Sequence, residues 1–139
     1  MLAMFRNLLR LIVTRLRGIN AAAEIPGVKK LTTLDDWKHC LEGSRDAPVL
    51  VFKHSTACPI SSEAHRHVAR YLESKSATDP EVSIVRVIEE RPVSNQIAED
   101  LGLQHKSPQL ILLRNGAAVW STSHYGVHVD SIRTAVESK

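Results

Sequence analysis

A chain of 139 residues suits one domain large enough to bury its own core without covalent staples. Its two cysteines, Cys40 and Cys58, exclude a disulfide scaffold, match no zinc-ligand spacing, and point to a reducing, cytoplasmic setting where a lone thiol persists. The formal charge of +3 comes from residues 1–23, which hold four arginines and no acid; the remainder carries 14 basic and 15 acidic side chains, so the body offers no clustered cationic face for nucleic acid.

In residues 5–19, Phe5, Leu8, Leu9, Ile12, Val13, Leu16 and Ile19 share one face of a helical wheel. Arg6, Asn7, Arg10, Thr14 and Arg17 take the other, with Leu11 and Arg15 out of place. The pattern predicts an amphipathic helix with a basic face. A membrane span needs roughly 20 consecutive apolar residues, and none run here beyond Leu11-Ile12-Val13. The segment is a poor secretory signal for the same reason, although Ala21–Ala23 imitate a cleavage site. Peripheral contact with a membrane surface, an organelle-type presequence, an upstream extension, and plain packing on the domain or a neighbour all stay open. Pro26 and Gly27 in AAAEIPG mark a boundary. Residues 1–27 are therefore an extension and linker, and 28–139 the domain.

The domain begins with a short strand or turn at Leu31, followed by Thr33 as cap of a helix over Leu34–Gly43. Leu34, Trp37 and Leu41 fall on one side of that helix. Pro48–Lys53 reads as a buried strand, and Pro59 to about Lys75 as a helix with Ile60, Ala64, Val68 and Tyr71/Leu72 on one face. Val82–Ile88 is the next strand. Val93–Leu101 is a helix stopped by Gly102, with Ile97, Ala98 and Leu101 as its apolar positions. Leu110–Leu113 and Ala118–Ser121 form a hairpin turning at Asn115-Gly116. A last helix spans about Val129 to Val136, with Ile132 and Val136 inward. The order βαβαβαββα predicts an α/β, thioredoxin-like fold: a mixed central sheet flanked by helices, antiparallel at the hairpin edge.

One stretch between strand and helix carries chemistry. HSTACPIS, residues 54–61, places Pro59 in the first helical turn, where its missing N–H costs nothing. Cys58 then stands at the N-cap, its sulfur facing unpaired backbone N–H groups and the positive helix end, which favour an anionic sulfur. Lys53 and His54 add positive potential if their side chains turn towards the site. The plain alternative is a half-buried cysteine acting as a small apolar residue. The position three residues on, where a redox pair would keep its second cysteine, is Ser61. Downstream, Pro108 stands immediately before a central strand, an awkward place for proline unless it has a task.

Four separated stretches occur in order: FKHSTACPIS (Phe52–Ser61), RPVSNQIA (Arg91–Ala98), GLQHKSPQ (Gly102–Gln109) and VWSTSH (Val119–His124). Together they resemble the monothiol bacilliredoxin family (YtxJ-like), a branch of the thioredoxin superfamily, over most of residues 30–139. The resemblance implies an enzyme, a thiol-disulfide oxidoreductase that removes bacillithiol from protein mixed disulfides. Cys58 would be the nucleophile, and Ser61 would stand in the place of the resolving cysteine. Thr56, Pro59 and Ile60 would complete the active-site turn. Pro108 would be the superfamily's cis-proline, with Ser107 presenting backbone to the substrate. Bacillithiol joins cysteine, glucosamine and malate, so its carboxylates call for cationic or N–H partners. Arg91, Lys106 and His124 are candidates by position, with a solvated side chain as the alternative for each. The partners implied are proteins carrying mixed disulfides and the low-molecular-weight thiol itself, a co-substrate rather than a bound cofactor.

Other constellations carry less. Cys40 reads as an inert thiol three residues from Trp37. His65 and His67 point to different sides of one helix, and no histidine spacing supplies the three ligands of a catalytic zinc site. An iron–sulfur cluster shared between two chains through a single cysteine is a remote alternative. No G-x-S-x-G elbow is present, and Glu89-Glu90 reads as a solvated loop. Two further functional readings stay open: a thioredoxin-fold binding or tethering module whose Cys58 is modified without turnover, and a glutaredoxin-like protein using another small thiol.

Overall fold

The computed structural model describes residues 24–138; the basic helix expected over residues 5–19, with its membrane contact, lies outside the described residues. In chain order the elements are β1 (Lys29–Lys30), α1 (Leu34–Gly43), β2 (Val49–His54), α2 (Pro59–Ser74), β3 (Glu81–Arg86), α3 (Arg91–Leu101), β4 (Gln109–Arg114), β5 (Ala117–Ser123), a 3-10 turn (His124–Gly126) and α4 (Val129–Glu137). The five strands make one sheet in the order β1-β3-β2-β4-β5. β1 and β2 pair parallel to β3, whereas β4 runs antiparallel to both β2 and β5. This is the mixed thioredoxin-like sheet predicted from the element order, with β2 at its centre.

Period-two alternation in β2 builds a core on each face of the sheet. Leu50 and Phe52 face α2 and α4, where they pack with Val68, Tyr71, Leu110 and Ile132. Val51 faces α1 and α3, among Trp37, Val85, Ile97 and Ile111. Each large side chain removed from water in this way contributes about 1.5–3 kcal/mol. Trp37 also donates its indole N–H to Asp100 at 2.8 Å, tying α1 to α3.

Local signals fix the boundaries. Thr33 and Asp36 form a reciprocal capping box at the start of α1, each side chain accepting the other's backbone N–H at 3.0 Å. Asn115 and Gly116 both adopt positive φ, 52° and 76°, the conformation a tight hairpin turn requires. Leu34, expected to face inward, is instead half exposed, because α1 turns Trp37 rather than its first residue into the core. The strand expected over Val82–Ile88 stops at Arg86. There the Glu90 carboxylate accepts the Arg86 backbone N–H at 2.9 Å and pairs with its guanidinium. The chain folds into a turn, Ile88 emerges half exposed, and α3 starts at Arg91, earlier than its apolar periodicity indicates. Glu90, read from sequence as part of a solvated loop, is buried in that turn. In α4 the buried positions are Ile132 and Ala135, with Val136 only partly covered. No helix among the described residues is long and apolar enough to cross a membrane.

Candidate active site

The central strand delivers the site. β2 ends at His54, three residues form a turn, and Cys58 stands at the N-cap of α2 with extended backbone (φ −118°, ψ 124°) and Pro59 next to it. Cys58 is partly exposed, and its carbonyl accepts the Ser62 N–H at 3.1 Å, closing the first helical turn. Its side chain makes no capping hydrogen bond. The sulfur is thus held where the free N–H groups and the helix dipole act on an anion.

Antiparallel pairing of β2 with β4 sets Lys53 opposite Gln109, so Pro108 lies at the same end of the sheet as the turn that carries Cys58. The Ser107–Pro108 peptide is cis and Pro108 is buried. The Pro108 carbonyl accepts the N–H of His124 at 3.0 Å, which fixes the start of the 3-10 turn beside the proline. The hydroxyl of Ser107 is buried without a hydrogen-bond partner among the described residues.

The remaining sequence candidates divide by depth. Thr56 and Pro59 are exposed beside the cysteine. Ile60 lines a small cleft shared with His124, Tyr125 and His128. Arg91, Lys106 and His124 are exposed; Lys106 and His124 flank Pro108, whereas Arg91 begins α3. Ser61 is fully buried and points away from solvent. Its hydroxyl accepts the Ser55 N–H at 2.9 Å and lies 2.8 Å from Nδ1 of His54. Where a dithiol enzyme would keep its second sulfur, this chain has a hydroxyl that braces the turn.

Lys53 and His54 do not present charge to the site surface. His54 is 2% exposed and stacks between Phe52 and His65, with ring centroids 5.4 and 4.9 Å away. Burial, and then the neighbouring His65, push its pKa down to about 4, so the ring is neutral at physiological pH. Lys53 is fully buried on the opposite face of the sheet, where its ammonium donates to the Ser94 carbonyl at 3.1 Å. Burial pushes the Lys53 amine down to about 8. Burial, followed by Lys53 and Arg91, also lowers His105, whose Nδ1 lies near the Ser94 hydroxyl. On the Pro108 side, Gln109 donates to the Gln104 carbonyl at 3.2 Å. The sequence places Lys53 and His54 at the end of the right strand but starts β4 one residue after Gln109, and it does not give the depth of these side chains. The available signal was two polar residues closing an otherwise apolar strand.

Cys40 lies in a separate groove between α1 and the β1–β3 edge, its thiol 3.8 Å from the Ser83 hydroxyl. Burial pushes that thiol up, only partly opposed by Ser83 and Lys29. It is the less reactive thiol by environment.

Comparison with known proteins agrees with this geometry. A solved structure provisionally described as an oxidoreductase with a thioredoxin fold is 32% identical, with a TM-score of 0.71 over 80% of this chain and 95% of that one. The thioredoxin of Fasciola hepatica matches at 14% identity and a TM-score of 0.63, over 78% of this chain and 96% of its own. Mitochondrial thioredoxin 3 of Saccharomyces cerevisiae matches at 12% and 0.63, over 81% and 95%. At those lower identities the likeness is one of fold. The family described as monothiol bacilliredoxin BrxC matches residues 29–132, a span that holds Cys58, Ser61 and the cis Pro108, and the chain belongs to that family.

Proposed function

We propose that the protein is a monothiol oxidoreductase that takes a small thiol, bacillithiol or a close analogue, off protein mixed disulfides. Family membership and fold support a thiol-redox role. The observation that carries the finer reading is the one partly exposed sulfur at a helix N-cap, with a buried hydroxyl at the position of a resolving thiol.

The chemistry follows. The Cys58 thiolate attacks the small-thiol sulfur of a protein–S–S–R disulfide. A new S–S bond joins Cys58 to R, the old S–S bond breaks, and the protein leaves as a thiolate that takes a proton from water. A second small thiolate then attacks R's sulfur on Cys58, giving R–S–S–R and returning the Cys58 thiolate. Ser61 forms no disulfide, so the small thiol itself is the second reductant. Pro108 and the backbone of Ser107 would border the client chain, and Lys106 and His124 lie on the same rim.

The test is mass spectrometry of the full chain after incubation with bacillithiol disulfide and, separately, glutathione disulfide. The expected result is one bacillithiol adduct at Cys58, faster than with glutathione, and none in Cys58→Ala. No adduct with either, or no release of thiol from a mixed-disulfide protein, overturns the reading and favours a binding module.

A further inference from the structure

Beside the active-site turn, on the side of β3, a cavity of about 190 Å³ opens between residues 24–32, α2 and the end of the sheet. Its walls combine the apolar side chains of Val28, Leu31 and Ile84 with His54, Thr56 and Arg86. None of the roles derived above uses it.

Two independent features mark it as a built site. His54 lines the cavity, is 2% exposed, and has its Nδ1 engaged by Ser61, yet its Nε2 is buried with no hydrogen-bond partner among the described residues. A buried ring nitrogen left unpaired carries a desolvation cost, which a polar ligand atom reaching it from the cavity would relieve. If the Ser61 hydroxyl donates to Nδ1, the ring hydrogen sits on Nε2 and needs an acceptor; in the other tautomer Nε2 needs a donor. A hydroxyl group serves both. The second feature is size and lining. A cavity of roughly 150 Å³ admits benzene, so this one holds a six-membered ring. Apolar walls on one side and hydroxyl partners at His54 and Thr56 on the other match the two characters of a sugar ring.

The rim extends the match. The side chains of Arg86 and Lys30 are each about half exposed, and both are paired with carboxylates, Glu90 and Glu24. Glu90 takes donors on Nε and Nη2 of Arg86, and a guanidinium carries five N–H donors, so a ligand carboxylate can join the pair at the rim without displacing the buried Glu90. Thr56 precedes Cys58 by two residues, a reach of at most about 7 Å, which a thiol-bearing arm can cross.

We propose that this cavity seats the hydroxylated six-membered ring of the small-thiol co-substrate, with the ligand's carboxylates on Arg86 at the rim and its sulfur directed to Cys58. The assignment rests on the function proposed above for its choice of ligand, but its test does not depend on redox chemistry. It also moves the recognition of the small thiol from Arg91, Lys106 and His124 to the opposite side of the turn, leaving that rim to the protein client.

The experiment uses the full chain carrying Cys58→Ala and the glucosamine–malate conjugate, which lacks cysteine and sulfur. Binding is followed by imidazole NMR signals and calorimetry. The expected result is a saturable shift of the His54 ring signals, with affinity reduced about tenfold by Thr56→Val and at least tenfold by Val28→Trp, which fills the cavity. Thermal melting checks that each variant folds, and Thr56→Val carries the test if Val28→Trp does not. A His54 signal unmoved by the conjugate, or shifts confined to Lys106 and His124, overturns the assignment even where bacillithiol still adds to Cys58. Conversely, binding at His54 with no adduct at Cys58 in the parent chain upholds the cavity and sinks the redox reading.

Discussion

The hydroxyl of Ser61 and Nδ1 of His54 meet at 2.8 Å in a contact closed to water, one turn into the helix that presents Cys58. The same hydroxyl receives the Ser55 N–H, so one side chain joins the end of β2, the active-site turn and α2. A serine at this position has a structural task besides failing to be a cysteine.

Replacement of Ser61 separates the two. Ser61→Ala leaves the Ser55 N–H and His54 Nδ1 unpaired in the interior, and loss of such partners costs about 1–3 kcal/mol. The melting temperature is expected to fall by several degrees while Cys58 still forms a small-thiol adduct. Ser61→Cys restores a second sulfur three residues along the helix from Cys58, on the same face. Oxidation of that variant should remove two hydrogens by intact mass and leave Cys40 as the single titratable thiol. If it instead keeps accumulating the small-thiol adduct, Ser61 is not what makes the site monothiol.

The two thiols should behave unequally. Cys40 is half-buried against Ser83, with its thiol raised by burial, and raised thiols react slowly. The native chain is therefore expected to take one equivalent of small thiol. Cys40→Ser leaves that stoichiometry unchanged and Cys58→Ala reduces it to zero, read by peptide mapping. An adduct at Cys40 in the folded chain would contradict its assigned environment.

Elements whose signal is local were legible in the sequence. Thr33 as a cap, Pro59 after Cys58, Gly102 as a helix stop and Asn115-Gly116 as a turn each carry their own backbone chemistry, and each sits where expected; the reciprocal bond from Asp36 to the cap was not read from the sequence. The order of elements then left few ways to pair the strands. What could not be read was direction and depth. Lys53 and His54 are adjacent, so they point to opposite faces of β2; whether either face is covered at that end depends on α3 and α2, which sequence spacing does not reveal. The early end of β3 likewise depends on Glu90 reaching back to Arg86, a contact that outweighs the β-forming character of Val87 and Ile88. The candidate site was legible at Cys58 and Pro108, and illegible in the histidine and lysine beneath it.

His54 gives stability a pH dependence of definite sign. Burial first, and His65 second, push its pKa down to about 4, against about 6.5 in an unfolded chain. Between those values the unfolded chain binds more protons, so this contribution is complete above about pH 6.5 and is lost as pH falls towards 4. Below that both states are protonated and no further change arises. The whole effect amounts to at most about 3 kcal/mol. Urea unfolding of the native chain from pH 7.5 to 4 should show it, and His54→Phe should flatten the slope. The lowered His67 and His105 act in the same direction, so a residual slope is expected.

Lys53 supplies the complementary test at alkaline pH. Its amine is fully buried, donates to the Ser94 carbonyl, and is pushed down to about 8 by burial, compared with about 10.4 in an unfolded chain. Below pH 8 both states carry the proton and the folded state bears the full cost of the buried charge. As pH rises from 8 to about 10.4 the folded amine loses its proton first, and that cost is relieved. Lys53→Met keeps the length of the side chain and removes the charge, a change that often stabilises when the buried charge is poorly compensated. The variant is expected to gain about 1–3 kcal/mol at pH 7, with the advantage shrinking by pH 10, measured by chemical unfolding at both. A Lys53→Met chain less stable at both pH values would mean that the bond to Ser94, which ties β2 to α3, outweighs desolvation of the ammonium.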